Sequence, residues 1–174
     1  MIKGLIPFAA VAGILFSFSS YADFNGVVVR VLDGDTIDVF QKSEQNTQRV
    51  RLSGIDAPEK NQPFGQRSRQ FLSEMVAHHY VSVKESGKDR YGRVLGDVIS
   101  YDVPPNVPVI DVGVNVNEAM LVKGLAWAYR YHGKALNLGY ERLEHSARQD
   151  HVGLWSESNN IEPWKWRKQH KAQK

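Results

Sequence analysis

Residues 25–40, NGVVVRVLDGDTIDVF, read as strand, turn and strand. Val27, Val29 and Val31 alternate with Val28, Arg30 and Leu32, and β-branched residues dominate the run. Asp33-Gly34 is a two-residue hairpin signal, because such turns need a positive φ and glycine accepts one without steric cost. Ile37 and Val39 carry the alternation along the return strand. Residues 41–48 then read as polar loop, 49–53 as a third short strand, and 54–58 as a turn.

Beyond the hairpin the period changes. Phe64, Phe71, Leu72, Met75 and Val76 fall on one stripe of a helix over residues 63–79, with Arg67, Arg69 and Glu74 off it. Residues 80–84 and 93–101 return to strand character around a polar turn at 85–90. Residues 102–113 hold three prolines and read as loop. Asn115 and Glu118 have capping-box spacing and open a helix that runs to about Gly124. A last helix covers residues 138–151, with Gly153 as its stop. Five short strands with three helices predict an α+β fold, a small β-barrel with helices packed around it.

The chain has 174 residues, enough for one domain and a piece beyond it. That piece is residues 1–22. Lys3 precedes an apolar run at 5–18, and Ser20-Tyr21-Ala22 puts small residues at the positions a signal peptidase reads. Cleavage after Ala22 is expected, leaving Asp23 first and the protein periplasmic or extracellular. The run is short for a bilayer span, which needs about 20 residues. There is no cysteine, so no disulfide can brace an exported fold. A net charge of +3 agrees with an anionic partner without establishing one. Residues 23–161 form the expected domain and 162–174 a basic tail. There Trp164 and Trp166 interleave with Lys165, Arg167 and Lys168. Such a tail can stack on bases while its charges follow phosphate, or its tryptophans can pack back on the domain, which is favoured.

Three segments carry the chemistry: Asp33-Gly34-Asp35-Thr36, residues 51–59 (RLSGIDAPE), and Asp89-Arg90-Tyr91-Gly92-Arg93. Singly, each is what ordinary turns look like. Together they hold the parts of a phosphodiester-cleaving site. Asp35 and Asp56 can share one hard divalent cation through oxygen. Glu59 is free to act as general base on water. Arg51 and Arg93 are permanently charged forks suited to phosphate, and guanidinium does not deprotonate, so neither can be the base. By ligand type the cation is calcium or magnesium. Zinc has no support: cysteine is absent, and His78, His79, His132, His145, His151 and His170 show no ligand spacing. An EF-hand is excluded, since the run after Asp35 lacks the further ligands and glycine.

The residues 31–36 (VLDGDT), 51–59 and 89–93, in this order and spacing, resemble the staphylococcal (thermonuclease-like) nuclease family. Val116-Asn117-Glu118-Ala119, Gly124-Leu125-Ala126 and Gly153-Leu154-Trp155 extend the likeness, which runs from about Val27 to Ser156. The resemblance implies a five-stranded OB-type barrel with three helices. It also implies a nuclease dependent on one Ca²⁺, acting on DNA and RNA with little sequence preference and leaving 3′-phosphate ends. By the same likeness, Asp35, Asp56 and the Ala57 carbonyl are the metal ligands, Arg51, Glu59 and Arg93 the catalytic trio, and Asp33 a support behind the ligands. Many family members have threonine where Ala57 stands; a carbonyl ligand tolerates the change. Arg90 with Tyr91, and Tyr129 with Tyr131, resemble the nucleotide-pocket residues. The two latter tyrosines are spaced to point the same way from an extended chain, and barrel-edge packing is their other reading. The substrate-side loop after Glu59 is short for the family, and residues 102–113 are long.

A monomer is expected. Two other classes compete with the enzyme: an OB-type module that binds nucleic acid without cutting, and a structural calcium-binding domain. Asp35, Asp56 and Glu59 would repel phosphate in the first, and Arg51 and Arg93 have no role in the second.

Overall fold

The computed structural model describes residues 22–101 and 113–171. Nearly all of the expected signal peptide and of the proline-bearing loop therefore lies outside the described residues. In chain order the elements are β1 (Phe24–Val31), β2 (Thr36–Gln41), β3 (Asn46–Leu52), a two-residue β4 (Ile55–Asp56), α1 (Gly65–Val76), β5 (Tyr80–Lys88) and β6 (Val94–Ser100). Then come β7 (Val114–Asn115), α2 (Val116–Val122), β8 (Trp127–Ala128), β9 (Arg130–Tyr131), β10 (Lys134–Ala135), α3 (Leu138–Gln149) and α4 (Pro163–Lys171).

Strands β3-β2-β1-β5-β6 form one antiparallel run, and β3 then pairs with β6 in parallel, Val50 opposite Val94 and Leu52 opposite Gly96. That last pairing closes the sheet, which removes its exposed edges and makes a five-stranded barrel. Val28, Ile37, Val39, Val50, Leu52, Val81, Val83 and Val98 line its interior, all without solvent exposure. Each such side chain contributes about 1.5–3 kcal/mol by leaving water. The strict alternation expected along β1 is interrupted. A bulge between Val28 and Arg30 puts Val28 and Val31 on the buried face and leaves Val29 47 % exposed.

The expected two-residue hairpin at Asp33-Gly34 is not what joins β1 to β2. Residues 32–35 make a longer connection, closed by the Leu32 N–H donating to the Thr36 carbonyl at 2.9 Å. Gly34 is not among the glycines with positive φ. It is needed for close approach: a Cβ there would lie 2.7 Å from the Ser68 Cβ and 2.8 Å from the Ala57 Cβ. The polar turn expected at 85–90 is also shorter, because β5 runs on to Lys88 through a bulge between Glu85 and Gly87.

Helix α1 starts later than its apolar stripe suggests, since Phe64 is left-handed at φ 67° and stops the helix from reaching back to Pro63. It ends where Ala77 turns extended, and Leu72, Met75 and Val76 cover one end of the barrel. Asn115 caps α2, its Oδ1 accepting from the Glu118 N–H at 3.2 Å, the N-cap half of the expected capping box. Asn137 caps α3, accepting from Gly139 and Tyr140. The segment read as a basic tail contains a fourth helix, α4, with Pro163 buried and Trp164 and Trp166 half-buried. No helix among the described residues is long and apolar enough to cross a membrane.

Candidate active site

Asp35 ends the β1–β2 connection, Arg51 lies on β3, and Asp56 on β4 immediately after the Gly54 turn. The barrel brings the three into contact. Arg51 Nη2 lies 2.7 Å from Asp56 Oδ1 and 3.1 Å from Asp35 Oδ2. Its Nη1 donates to the Ile55 carbonyl at 2.9 Å and the Leu52 carbonyl at 3.3 Å, so its own loop fixes the guanidinium plane. Asp35 is held on both sides, accepting from Thr36 Oγ1 at 2.9 Å and from the Ala57 N–H at 3.1 Å. Asp33 accepts from the Asp35 N–H at 3.0 Å.

These carboxylates are crowded and poorly hydrated. Burial, followed by the Asp35 charge, pushes Asp33 up to about 6. Burial also raises Asp56, against the pull of Arg167 and Arg51. Burial disfavours the charge on Arg51, but Asp35 and Asp56 more than offset it and its pKa is raised. The donor set is oxygen-only, and a hard cation would relieve the mutual repulsion of these acids. Among the described residues no three acidic, His or Cys side chains are grouped to hold a metal. A cation here would therefore draw on Asp35 and Asp56, with backbone carbonyl and water completing its shell. By ligand type the residues fit a hard divalent ion, calcium or magnesium.

Glu59 stands at the mouth, its side chain 40 % exposed. Its backbone is clamped by Gln62, whose Oε1 accepts from the Glu59 N–H at 3.1 Å while the Gln62 N–H donates to the Glu59 carbonyl at 2.8 Å. Arg93 enters from the turn before β6. Asp89 organises that turn, accepting from the Tyr91 and Arg93 N–H groups and from Arg93 Nε at 2.7 Å. Burial pushes the Asp89 pKa up, but these hydrogen bonds outweigh it and the net direction is down. Arg93 Nη1 reaches Thr36 Oγ1 at 3.4 Å, which links it to the Asp35 side of the site.

A cleft of about 720 Å³ joins these groups. Asp33, Asp35, Arg51, Ala57, Glu59 and Arg93 line it, and so do Arg90, Tyr91, Tyr129 and Tyr131. Asp56 does not line it, being fully buried. Tyr91 is 66 % and Tyr131 60 % exposed, so neither is a packed edge residue; Tyr129 is half-buried. The Arg90 guanidinium lies 4.9 Å from the Tyr91 ring centre, forming the expected basic-aromatic pair.

Sequence reasoning assigned no role to three residues that shape the site. Asp89 was inside a quoted motif, and its Asx-type turn was the available signal. Gln62 left none, and Arg167 showed only as one charge of the basic tail. Arg167, in the segment read as a tail, places Nη2 2.8 Å from Asp56 Oδ2 and Nη1 2.7 Å from Glu59 Oε1.

Residues 49–157 match the model of the family described as staphylococcal nuclease homologue. The chain is 47 % identical over 162 residues to Protein ParB of Escherichia coli, covering 92 % of this chain and 89 % of that protein. It is 46 % identical over 164 residues to a micrococcal nuclease of Shigella flexneri, with 94 % and 91 % covered. An uncharacterized endonuclease of Escherichia coli is 41 % identical over 157 residues, with 88 % and 94 % covered.

Proposed function

The chain belongs to the staphylococcal nuclease family, and from that premise we propose that it is a calcium-dependent nuclease that hydrolyses DNA and RNA to 3′-phosphate ends. The observation that carries the proposal is Arg51 bridging Asp35 and Asp56 at the base of a cleft that also holds Glu59 and Arg93.

In this reading Glu59 takes a proton from a water that attacks phosphorus. The bond to the 5′-oxygen breaks, that oxygen leaves with the electron pair, and solvent protonates it. Arg51 and Arg93 hold the non-bridging oxygens and meet the charge that grows on them. Asp89 and the Leu52 and Ile55 carbonyls keep the two forks aimed, so little reorganisation is left for the reaction. A calcium ion held by Asp35, Asp56 and the Ala57 carbonyl would add positive charge against the scissile phosphate. Tyr91 with Arg90, and Tyr129 with Tyr131, offer ring faces and hydroxyls to the nucleotide. Such contacts favour no particular base. We also propose that residues 1–22 direct export and are removed, and that the enzyme acts as a monomer.

The test is cleavage of single- and double-stranded DNA and of RNA in calcium, magnesium or chelator, with end-group analysis of the products. Calcium-specific cutting to 3′-phosphates is expected. Full activity in excess chelator would remove Asp35 and Asp56 from the role given them. N-terminal sequencing of exported protein checks the leader, and Lys3 retained there would contradict it.

A further inference from the structure

We propose that Arg167, on α4, is a positioning residue of the active site that holds Asp56 and Glu59 together and competes directly with the divalent cation for Asp56. The proposal rests on the reading of Asp56 as a cation ligand.

An arginine near the end of a chain is usually a solvated charge, and an exposed ion pair from such a helix is worth little. The surroundings of Arg167 are different. Its fork grips Asp56 with two bonds, Nη2 to Oδ2 at 2.8 Å and Nη1 to Oδ1 at 3.1 Å. The same Nη1 donates to Glu59 Oε1 at 2.7 Å. Asp56 has no solvent exposure, so this contact is desolvated on the carboxylate side. Burial opposes the charge of Arg167, yet Asp56 and Glu59 together hold its pKa above the ordinary value. One guanidinium thus joins the acid read as a metal ligand to the acid read as the base.

The helix is seated to make this contact. Gln62 Nε2 donates to the Ile161 carbonyl at 2.5 Å, and Gln62 Oε1 accepts from the Glu59 N–H. The approach to α4 and the loop of Glu59 therefore share one buried clamp.

Asp56 Oδ1 already accepts from Arg51 and Arg167, and Oδ2 from Arg167. A divalent ion bonded to this carboxylate would lie within a few ångströms of the guanidinium. Two cations that close repel strongly where water is scarce. By linkage, the factor by which Arg167 weakens cation binding is the factor by which the cation weakens the Arg167 contact. Calcium binding should therefore loosen α4.

The test is calcium titration calorimetry on the purified protein, without substrate, for wild type, Arg167→Gln, Arg167→Lys and Lys168→Gln. Lys168→Gln removes an exposed charge from the same helix and reports long-range electrostatics alone. Arg167→Gln is expected to bind calcium roughly 5- to 150-fold more tightly than wild type. Arg167→Lys should fall between them, and Lys168→Gln should match wild type. Amide exchange supplies the second readout. Calcium should speed exchange in α4 of wild type, whereas in Arg167→Gln exchange should already be fast and indifferent to calcium. Equal affinities in wild type and Arg167→Gln, or an α4 that ignores calcium, would overturn the inference and leave the nuclease reading intact. Calcium binding by none of the proteins would overturn both the inference and the metal assignment. Should Arg167→Gln fail to fold, wild-type exchange with and without calcium decides alone.

Discussion

Asp35, Arg51 and Asp56 form a buried alternation of charge, whereas Glu59 is half in solvent and paired only at its edge. That difference suits the proposed roles, since a general base must reach water. Glu59→Gln keeps the shape and cannot accept a proton, so turnover should fall about 10²- to 10⁴-fold. Oligonucleotide affinity should stay near wild type, because removing a negative charge cannot weaken attraction for phosphate. Single-turnover rates set against binding isotherms check this, and cutting at the wild-type rate would end the assignment. Arg51→Lys keeps the charge but cannot reach two carboxylates and two carbonyls, so a severe loss of rate is expected. Gly34 teaches a different lesson. Its place in an Asp-Gly-Asp run suggested a turn, and the structure shows a contact with Ala57 and Ser68, residues far along the chain. Gly34→Ala should cost about 1–3 kcal/mol by overpacking and displace the Ala57 backbone that holds Asp35. Urea unfolding measures the first effect and calcium affinity the second.

At the scale of elements, α3 matters because it anchors the β8–β9 segment that carries Tyr129 and Tyr131. Glu144 is 1 % exposed and accepts from the Ala128 N–H at 2.7 Å, from Arg130 at 2.9 and 3.2 Å, and from Arg148 Nε at 2.8 Å. Removing one member of such a buried cluster leaves uncompensated charge. Glu144→Ala should therefore cost about 3–5 kcal/mol in equilibrium unfolding. If the variant stays folded, Tyr129 and Tyr131 lose their registration, and KM should rise more than kcat falls. Buried Asn117 and Tyr140 with half-buried Ser53 and Asp97 tie α2 and α3 to β6 and the β3–β4 turn in a similar way. Asn117 was visible in the sequence only as part of a motif. Its role emerges from carbonyls and carboxylates supplied by other elements. Helix α4 was hidden for a related reason: it has no clean apolar stripe, and what holds Arg167 is a pair of acids over a hundred positions away. Local pattern carries no record of such a partner.

For the molecule as a whole, the barrel was legible because its strands alternate and its turns are punctuated, and both signals are local. The bulge in β1 and the extension of β5 were not, because register is set by the neighbouring strand. Of the expected cation ligands only Ala57 belongs to the hydrophobic core, and its side chain rather than its carbonyl packs there, so chelator should abolish cutting while leaving the melting temperature nearly unchanged. A weak ion adds stability only as its concentration exceeds its Kd. Acid should act on an ion-pair cluster that adjoins the cleft beyond Tyr91 and Arg93. Hydrogen bonding from Arg49 lowers the pKa of Asp38 and outweighs the effect of burial, with Arg30 assisting. A depressed carboxylate pKa contributes stability above the ordinary value of 3.8 and loses it as pH falls through the folded pKa. Both arginines are largely exposed, so the contribution is about 0.2–1 kcal/mol. Asp38→Asn should be less stable than wild type by that amount at pH 6, and the gap should close toward pH 2 in chemical unfolding.

Because β3 and β6 meet in parallel, the molecule cannot be built from neighbouring hairpins alone. Pairings β1–β2, β2–β3 and β5–β6 join strands consecutive in the sheet and close short loops, whereas the β1–β5 pairing and the β3–β6 seam each need two distant segments to find each other. Such long-range closure is the slow kind. Arg51 lies on one side of that seam and Arg93 enters the other. The pair proposed to grip phosphate is therefore assembled by a long-range closure, expected late in refolding. In stopped-flow refolding, cleavage competence should lag the far-ultraviolet signal, and simultaneous recovery would contradict this order. A half-made chain would remain a harmless one until its seam shuts.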